Sequence, residues 1–103
     1  MKNRVNTFQK GSVRYIVFKE NDSFHAVGLE LNIVVDGSTK ETALFTLFDA
    51  IKGYIESAKK ASLRPIVLNQ KADDEYEELW RKLNKNEPIK SPYEVATFGR
   101  QLV

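Results

Sequence analysis

The segment Val13-Arg14-Tyr15-Ile16-Val17-Phe18 constrains the fold more than any other stretch of the chain. Its β-branched and aromatic residues read as a strand running on to Glu20. Side chains alternate across a strand, so Tyr15 and Val17 share one face while Ile16 and Phe18 share the other. Both faces are apolar, and both need cover. In a chain of 103 residues, helices are expected to cover only one of them. The second face then implies a partner surface, and with it a homo-oligomer, most simply a dimer.

The next residues predict an antiparallel meander. Glu20-Asn21-Asp22-Ser23 is a polar hairpin turn, and Phe24 to Leu31 is a second strand. Gly28 marks a bulge or a close backbone approach. Asn32 is a turn residue and Ile33-Val34-Val35 a short third strand. The connections are too short for parallel crossovers.

Asp36-Gly37-Ser38 ends the sheet, and Ser38 or Thr39 caps a helix, with Ser38-x-x-Glu41 fitting a capping box. Ala43, Leu44, Leu47, Phe48, Ile51, Tyr54, Ile55 and Ala58 recur at helical spacing through Lys60. This stripe is expected to pack on the sheet. Lys59 and Lys60 suit the negative end of the helix dipole. Arg64-Pro65 forces extended backbone before Ile66-Val67-Leu68, which reads as a short strand or a docked loop.

Asp73-Asp74-Glu75 opens a second helix, to about residue 84, with Arg81, Lys82 and Lys85 near its end. Tyr76, Leu79, Trp80 and Leu83 form its apolar stripe. Trp80 reads as core against the sheet or as an oligomer anchor. Pro88 and Pro92 bracket a loop, and residues 93–102 read as a final strand. That strand pairs beside the meander or with a neighbouring subunit. Tyr15, Val17, Val95 and Phe98 are the expected oligomer interface. Residues 1–12 carry Lys2, Arg4 and Lys10 with no acid and read as a flexible basic arm or a loosely held edge segment. The predicted class is α+β. A β-β-β-α unit spans 13–60, and an extension over 61–103 packs on the same domain.

Composition excludes much of catalytic chemistry. There is no cysteine, so disulfide frameworks, thiolate metal sites and thiol nucleophiles are ruled out. The single histidine, His25, precludes a multi-histidine metal site within one chain. A net charge of +2 is too small to argue for nucleic acid or membrane. No apolar run nears the ~20 residues of a spanning helix. No signal-peptide core follows the N-terminus, so a cytoplasmic protein is expected. The five glycines are scattered and form no phosphate loop.

Several pieces in order carry a resemblance. They are Tyr15-x-Val17-Phe18, the turn Glu20-Asn21-Asp22, Phe24-x-Ala26, Glu30-Leu31, Gly37-Ser38-Thr39-x-Glu41-x-Ala43-Leu44 and Leu47-x-x-Ala50-Ile51. Over roughly two-fifths of its length the chain resembles the HicB-like antitoxin domain. The resemblance implies a partial, non-catalytic ribonuclease-H-like unit that binds and blocks a small HicA-like ribonuclease toxin, or an orphan member without one. The chain departs from the family at Val35-Asp36, where many members have a glycine-rich or cysteine-containing turn, and at Ser38, where Asp is usual. Residues 62–103 do not resemble the family's usual DNA-binding tail. The one helix readable there begins with acids, which repel phosphate.

No catalytic, cofactor-binding or metal-binding residue is assigned, and the chain reads as a non-enzyme. His25 lacks an evident nucleophile and orienting acid. Asp22, Glu30, Asp36 and Asp49 read as turn, strand-end and surface carboxylates, not a clustered magnesium site. For a basic toxin the expected contacts are Asp73, Asp74, Glu77, Glu78 and Trp80, with an open strand edge. The alternative reading is an RNA- or DNA-binding accessory domain that uses Lys2, Arg4, Lys10 and Arg14 with Phe8 and Tyr15.

Overall fold

The computed structural model describes residues 6–7, 11–89 and 93–102. In chain order its elements are β1 (Ser12–Glu20), β2 (Ser23–Gly28), β3 (Ile33–Gly37), α1 (Lys40–Lys60), a short 3₁₀ turn (Pro65–Leu68), α2 (Asp74–Asn84) and β4 (Glu94–Leu102). The four strands form one antiparallel sheet in the order β3-β2-β1-β4. The class is α+β, with one long helix, a second helix and a C-terminal strand.

The turns depend on residues that tolerate left-handed backbone. Asn21 in the β1–β2 hairpin and Asn32 before β3 both have positive φ. β4 pairs with β1 within the same chain. Its bulge lies at Ala96, because Val17 pairs with Thr97 while Phe18 pairs with Val95. No bulge occurs at Gly28, which pairs in register with Tyr15 and Ile33. A Cβ there would meet its neighbours at ordinary van der Waals distance.

β1 is central, and each of its faces has its own core. Val13 and Val17 are buried with Ala26, Leu31, Ala43, Leu47, Ile51 and Leu68 on the α1 side. Ile16 and Phe18 are buried with Val27, Leu29, Ala72, Leu79 and Trp80 on the α2 side. The expectation that helices would cover only one face is therefore corrected. Eleven residues of α2 (Asp74–Asn84) suffice for the second face, because Leu79 and Trp80, with Tyr76 and Leu83 beside them, pack on Ile16 and Phe18 of β1 and Val27 of β2. Val17 is fully buried beneath α1, so it has no surface to offer a second chain.

α1 is capped by Thr39, not by Ser38. The Thr39 hydroxyl accepts the Thr42 N–H at 3.0 Å. Gly37 makes the close approach at this junction. A Cβ on it would lie 2.5 Å from the Ala43 nitrogen, so only glycine lets β3 end against the first turn of α1.

The connector from α1 to α2 passes round the end of the sheet. Arg64 is extended before Pro65, and residues 65–68 then form a 3₁₀ turn rather than a strand. Leu68 enters the α1-side core and Ala72 the α2-side core. The Tyr54 hydroxyl donates to the Val67 carbonyl at 3.0 Å and accepts from Gln70 Nε2 at 2.6 Å. The Gln70 N–H donates to the Glu30 carbonyl at 2.7 Å.

Asn6 locks the same end of the sheet and corrects part of the expected flexible arm. It is 1% exposed. Its N–H donates to Asn69 Oδ1 (2.7 Å), and its Nδ2 donates to the Leu68 carbonyl (2.9 Å). Its Oδ1 accepts the Ser12 N–H (2.9 Å), and its carbonyl accepts from Asn69 Nδ2 (3.0 Å). Gly11, at φ +147°, makes room for the amide, since a Cβ there would sit 2.1 Å from Asn6 Oδ1. Lys2, Arg4, Phe8 and Lys10 lie outside the described residues. Truncation at Asn6 strands a buried donor and a buried acceptor, each costing about 1–3 kcal/mol. Asn6→Ala is thus expected to lower the unfolding free energy by about 2–4 kcal/mol, read from the urea midpoint. A loss below ~0.5 kcal/mol would mean that residue 6 is not held in solution.

Candidate functional site

The α2 side of the sheet carries most of the polar side-chain chemistry. Arg14 of β1 is its hub. Its backbone N–H and its Nε donate to the two carboxylate oxygens of Glu30, at 2.8 and 2.6 Å. Its two terminal nitrogens donate to the two oxygens of Glu77, at 2.9 Å each. This is a bidentate fork, the geometry that suits guanidinium to carboxylate. Burial, the largest single influence, works against the charged guanidinium. The hydrogen bonds from Glu77 and Glu30 outweigh it and hold the pKa above the ordinary arginine value.

Trp80 completes the hub. Arg14 stacks on its ring at 5.6 Å and Arg100 of β4 at 5.4 Å, while Phe98 meets it edge-on at 5.8 Å. Trp80 is therefore core cover for β1 and β4, as the first of its two expected roles has it. Arg14 and Tyr15, two side chains of the nucleic-acid alternative, are committed elsewhere. Arg14 binds two carboxylates, and Tyr15 packs edge-on against Phe48 of α1 at 5.4 Å.

The acidic run that opens α2 is largely consumed by the fold. Glu77 is held by Arg14. Glu78 takes two bonds from Arg81, at 2.5 and 3.1 Å, and its hydrogen bond to Arg81 holds its pKa below the ordinary carboxylate value. Asp74, 94% exposed, lies 3.7 Å from Lys71. Glu75 accepts the Tyr93 hydroxyl. Of the expected toxin contacts, Glu77 and Trp80 thus belong to the internal hub. Asp73 and Asp74 project outward, and Glu78 is exposed but paired. Of the expected oligomer residues, Tyr15 and Val95 are half-buried in the two cores. Phe98 is the one at the surface, at 40% exposure.

Two features escape a reading of the sequence. The first is an orienting acid for His25. Asp36 faces it across β2 and β3, with Nδ1 2.6 Å from Oδ1. Asp36 is eleven residues away in sequence, whereas Glu20, Asp22 and Ser23, which are nearer in the chain, are not the ring's hydrogen-bond partners. The ring's hydrogen-bond partner is Asp36 and its ring neighbour is Phe18, and neither brings a hydroxyl or thiol to it. Glu30 pairs with Arg14, Asp36 with His25, Asp22 lies exposed in a turn and Asp49 lies on α1. Among the described residues no three His, Asp or Glu side chains converge to hold a metal ion.

The second feature is an aromatic patch ringed by acids. Phe18 lies at its centre, with ring contacts to His25 (5.4 Å), Tyr76 (6.2 Å) and Tyr93 (5.0 Å). Glu20 from β1, with Asp73 and Glu75 from the start of α2, act on Tyr76. Burial first, and then the charges of Glu75, Asp73 and Glu20, push its phenol up. Tyr93 is pushed up further, by burial, by the hydrogen bond to Glu75 and by the same negative field. The sequence signal was present in Glu20 and the run from Asp73. What it lacked was the placement of the β1–β2 turn beside the N-terminus of α2.

A groove of about 470 Å³ lies on the other side of the sheet, between α1 and β4. Phe48, Ile51 and Ile55 form its apolar wall and Gln101 and Leu102 its β4 side. No helix of the described residues is long and apolar enough to cross a membrane. No family model, curated protein or solved structure matches the chain.

The hub and the aromatic patch can each be tested. Arg14→Met leaves Glu30 and Glu77 unpaired in a partly buried place and is expected to cost about 2–3 kcal/mol. Adding Glu30→Gln and Glu77→Gln to it should recover at least half of that loss in urea unfolding. No recovery would show that lost packing on Trp80, not stranded charge, sets the cost. In a spectrophotometric titration, two of the four tyrosines should ionise late. The neutral phenol of Tyr93 is favoured by the fold, so its contribution to stability is complete below the ordinary tyrosine pKa of about 10 and is lost as pH rises beyond it. Glu75→Gln should bring both late tyrosines part of the way back towards the ordinary value, Tyr93 the more because it also loses a hydrogen bond to a carboxylate. An unchanged titration would remove Glu75 as a cause.

Proposed function

We propose that this chain is a protein-binding domain of the HicB-like antitoxin type, which masks a small basic ribonuclease without chemistry of its own. The observation that carries the reading is the patch at Tyr76 and Tyr93, where Glu20, Asp73 and Glu75 from two elements set a negative field over partly exposed aromatic rings. Acids around aromatic rings suit Lys and Arg side chains, by Coulomb attraction and by cation–π contact. The position of the resembling residues supports the same reading. Glu30-Leu31 forms the turn before β3, Gly37 lies under α1, Thr39 caps it, and Ala43, Leu47 and Ile51 form its buried face.

Masking of this kind needs no reacting group. A basic nuclease presents cations where its RNA phosphates bind, and a partner carrying fixed carboxylates competes for that surface. The electrostatic contact is better sought at Glu20 and Asp73 than at Glu77 and Glu78. The latter two neutralise Arg14 and Arg81 within the chain.

Affinity capture from the source cell tests the reading. The wild-type chain is expected to recover a small basic protein in fixed stoichiometry. Once released, that protein should cleave RNA, and adding the chain back should block it. Glu20→Lys with Asp73→Lys should weaken capture at least tenfold, and added salt should weaken the wild-type complex. Recovery of the bait alone would overturn the antitoxin reading. Capture indifferent to the reversal would overturn the electrostatic part.

A further inference from the structure

The outer edge of β4 has no strand partner among the described residues, and register shows which backbone groups it presents. The Arg14 N–H donates to Glu30 and the Arg14 carbonyl accepts the Leu29 N–H, so the backbone of Arg14 faces β2. Val13 and Tyr15 therefore face β4, and their partners Gln101 and Gly99 face β1 in return. Phe98, Arg100 and Leu102 alternate with these and turn their N–H and C=O groups outward. The Leu102 carbonyl accepts the side-chain amide of its own neighbour Gln101, at 3.1 Å. β4 has no proline and no lysine to guard this stretch.

Both faces beside this edge are apolar. On one side α1 crosses β3, β2 and β1 and stops short of β4, which leaves the groove walled by Phe48 and Ile55. The Tyr15 hydroxyl reaches over Gly99, where a Cβ would meet it at 2.9 Å, and has no hydrogen-bond partner among the described residues. On the α2 side the alternation places Phe98 and Leu102, 40% and 79% exposed, with Arg100 between them. Charge then narrows what can lie alongside. Arg100 rests on Trp80 and pairs with no carboxylate among the described residues. Arg14, its cross-strand partner, is already neutralised by Glu30 and Glu77. A residue of an added strand directly opposite Arg100 shares its face, and there an acid is favoured. The residues opposite Gly99 and Gln101 point towards the groove, and those opposite Phe98 and Leu102 lie against exposed apolar side chains.

We infer that β4 takes an extended segment of a partner protein as a fifth strand along Phe98 to Leu102, and that this segment carries an acidic residue between apolar neighbours. Main-chain hydrogen bonds to Phe98, Arg100 and Leu102 supply the affinity, while Arg100 and the groove supply the sequence preference. The preferred pattern, an acid flanked by apolar residues on both sides, reads the same in either strand direction. The inference does not rest on the antitoxin reading. The acid-ringed patch lies beside Tyr93, at the other end of β4, and selects cations, whereas this edge selects an acid.

Selection of short random peptides displayed on phage, against the full chain, tests it. Enriched sequences are expected to carry Asp or Glu with aliphatic or aromatic residues on both sides. Such a peptide, added as a synthetic compound, should slow amide hydrogen exchange at Phe98, Arg100 and Leu102. Gly99 and Gln101, already bonded to β1, should change little. Leu102→Pro removes an outward N–H and spares the pairing with β1. It should weaken the peptide at least tenfold with an unchanged circular dichroism spectrum. Arg100→Glu should turn the selection from a central acid to a central Lys or Arg. No enrichment over an unrelated protein would overturn the inference. So would enriched peptides that protect amides around Tyr76 and Tyr93 instead of the β4 edge. Edge-bound peptides whose selection is indifferent to Arg100→Glu would overturn the acidic pattern.

Discussion

Everything in this fold depends on a strand that must be dry on both sides. β1 carries Val13 and Val17 on one face and Ile16 and Phe18 on the other, all of them buried. A strand of that kind belongs in the middle of a sheet between two layers. The order β3-β2-β1-β4 provides the middle, and α1 and α2 provide the layers. The connector from 61 to 73 then has to cross from one layer to the other. The Asn6, Asn69, Tyr54 and Gln70 bonds close the sheet end where it crosses. Burying one aliphatic or aromatic side chain is worth about 1.5–3 kcal/mol, so four in a single strand outweigh any one polar contact in the molecule.

Local signals in the sequence were legible where the physics is local. Strand alternation over 13–20, the polar turn at Asn21, the 3.6-residue stripe from Ala43 to Ala58 and the acids opening the second helix each predict their element within a residue or two. The lapses were at contacts between distant residues. The second helix was visible, but not that its stripe would close over Ile16 and Phe18. That depends on the length and path of the connector, and no periodicity encodes a path. The same holds for His25 with Asp36, eleven residues apart and joined by strand register. It holds again for Arg14 with Glu77 and Asn6 with Asn69, each sixty-three apart. The cap is Thr39, one of the two residues the sequence offers for it, although the capping box written from Ser38 does not form.

The acidic run shows how a composition signal changes meaning once folded. As a string, residues 73–78 look like a surface prepared for a basic partner. In the structure Glu77 serves Arg14, Glu78 serves Arg81 and Glu75 takes the Tyr93 hydroxyl. A carboxylate already held by a guanidinium presents little net charge to an approaching protein. What survives as external field comes from acids without a cation of their own, Glu20, Asp73 and Glu75. A single linear run could not have predicted them as a group, because Glu20 belongs to the first strand and the other two to the start of the second helix.

The two layers leave different things unfinished. On the α2 side Phe18 is buried, and what remains outside it is a negative field over Tyr76 and Tyr93. On the α1 side what remains is an apolar groove whose rim carries Asp49, Lys52, Glu56 and Lys59 in alternating sign. A field of one sign selects a partner of the opposite sign, whereas an alternating one has little net attraction for either. The contact proposed for a basic protein therefore falls on the α2 side, where three carboxylates from two elements act together.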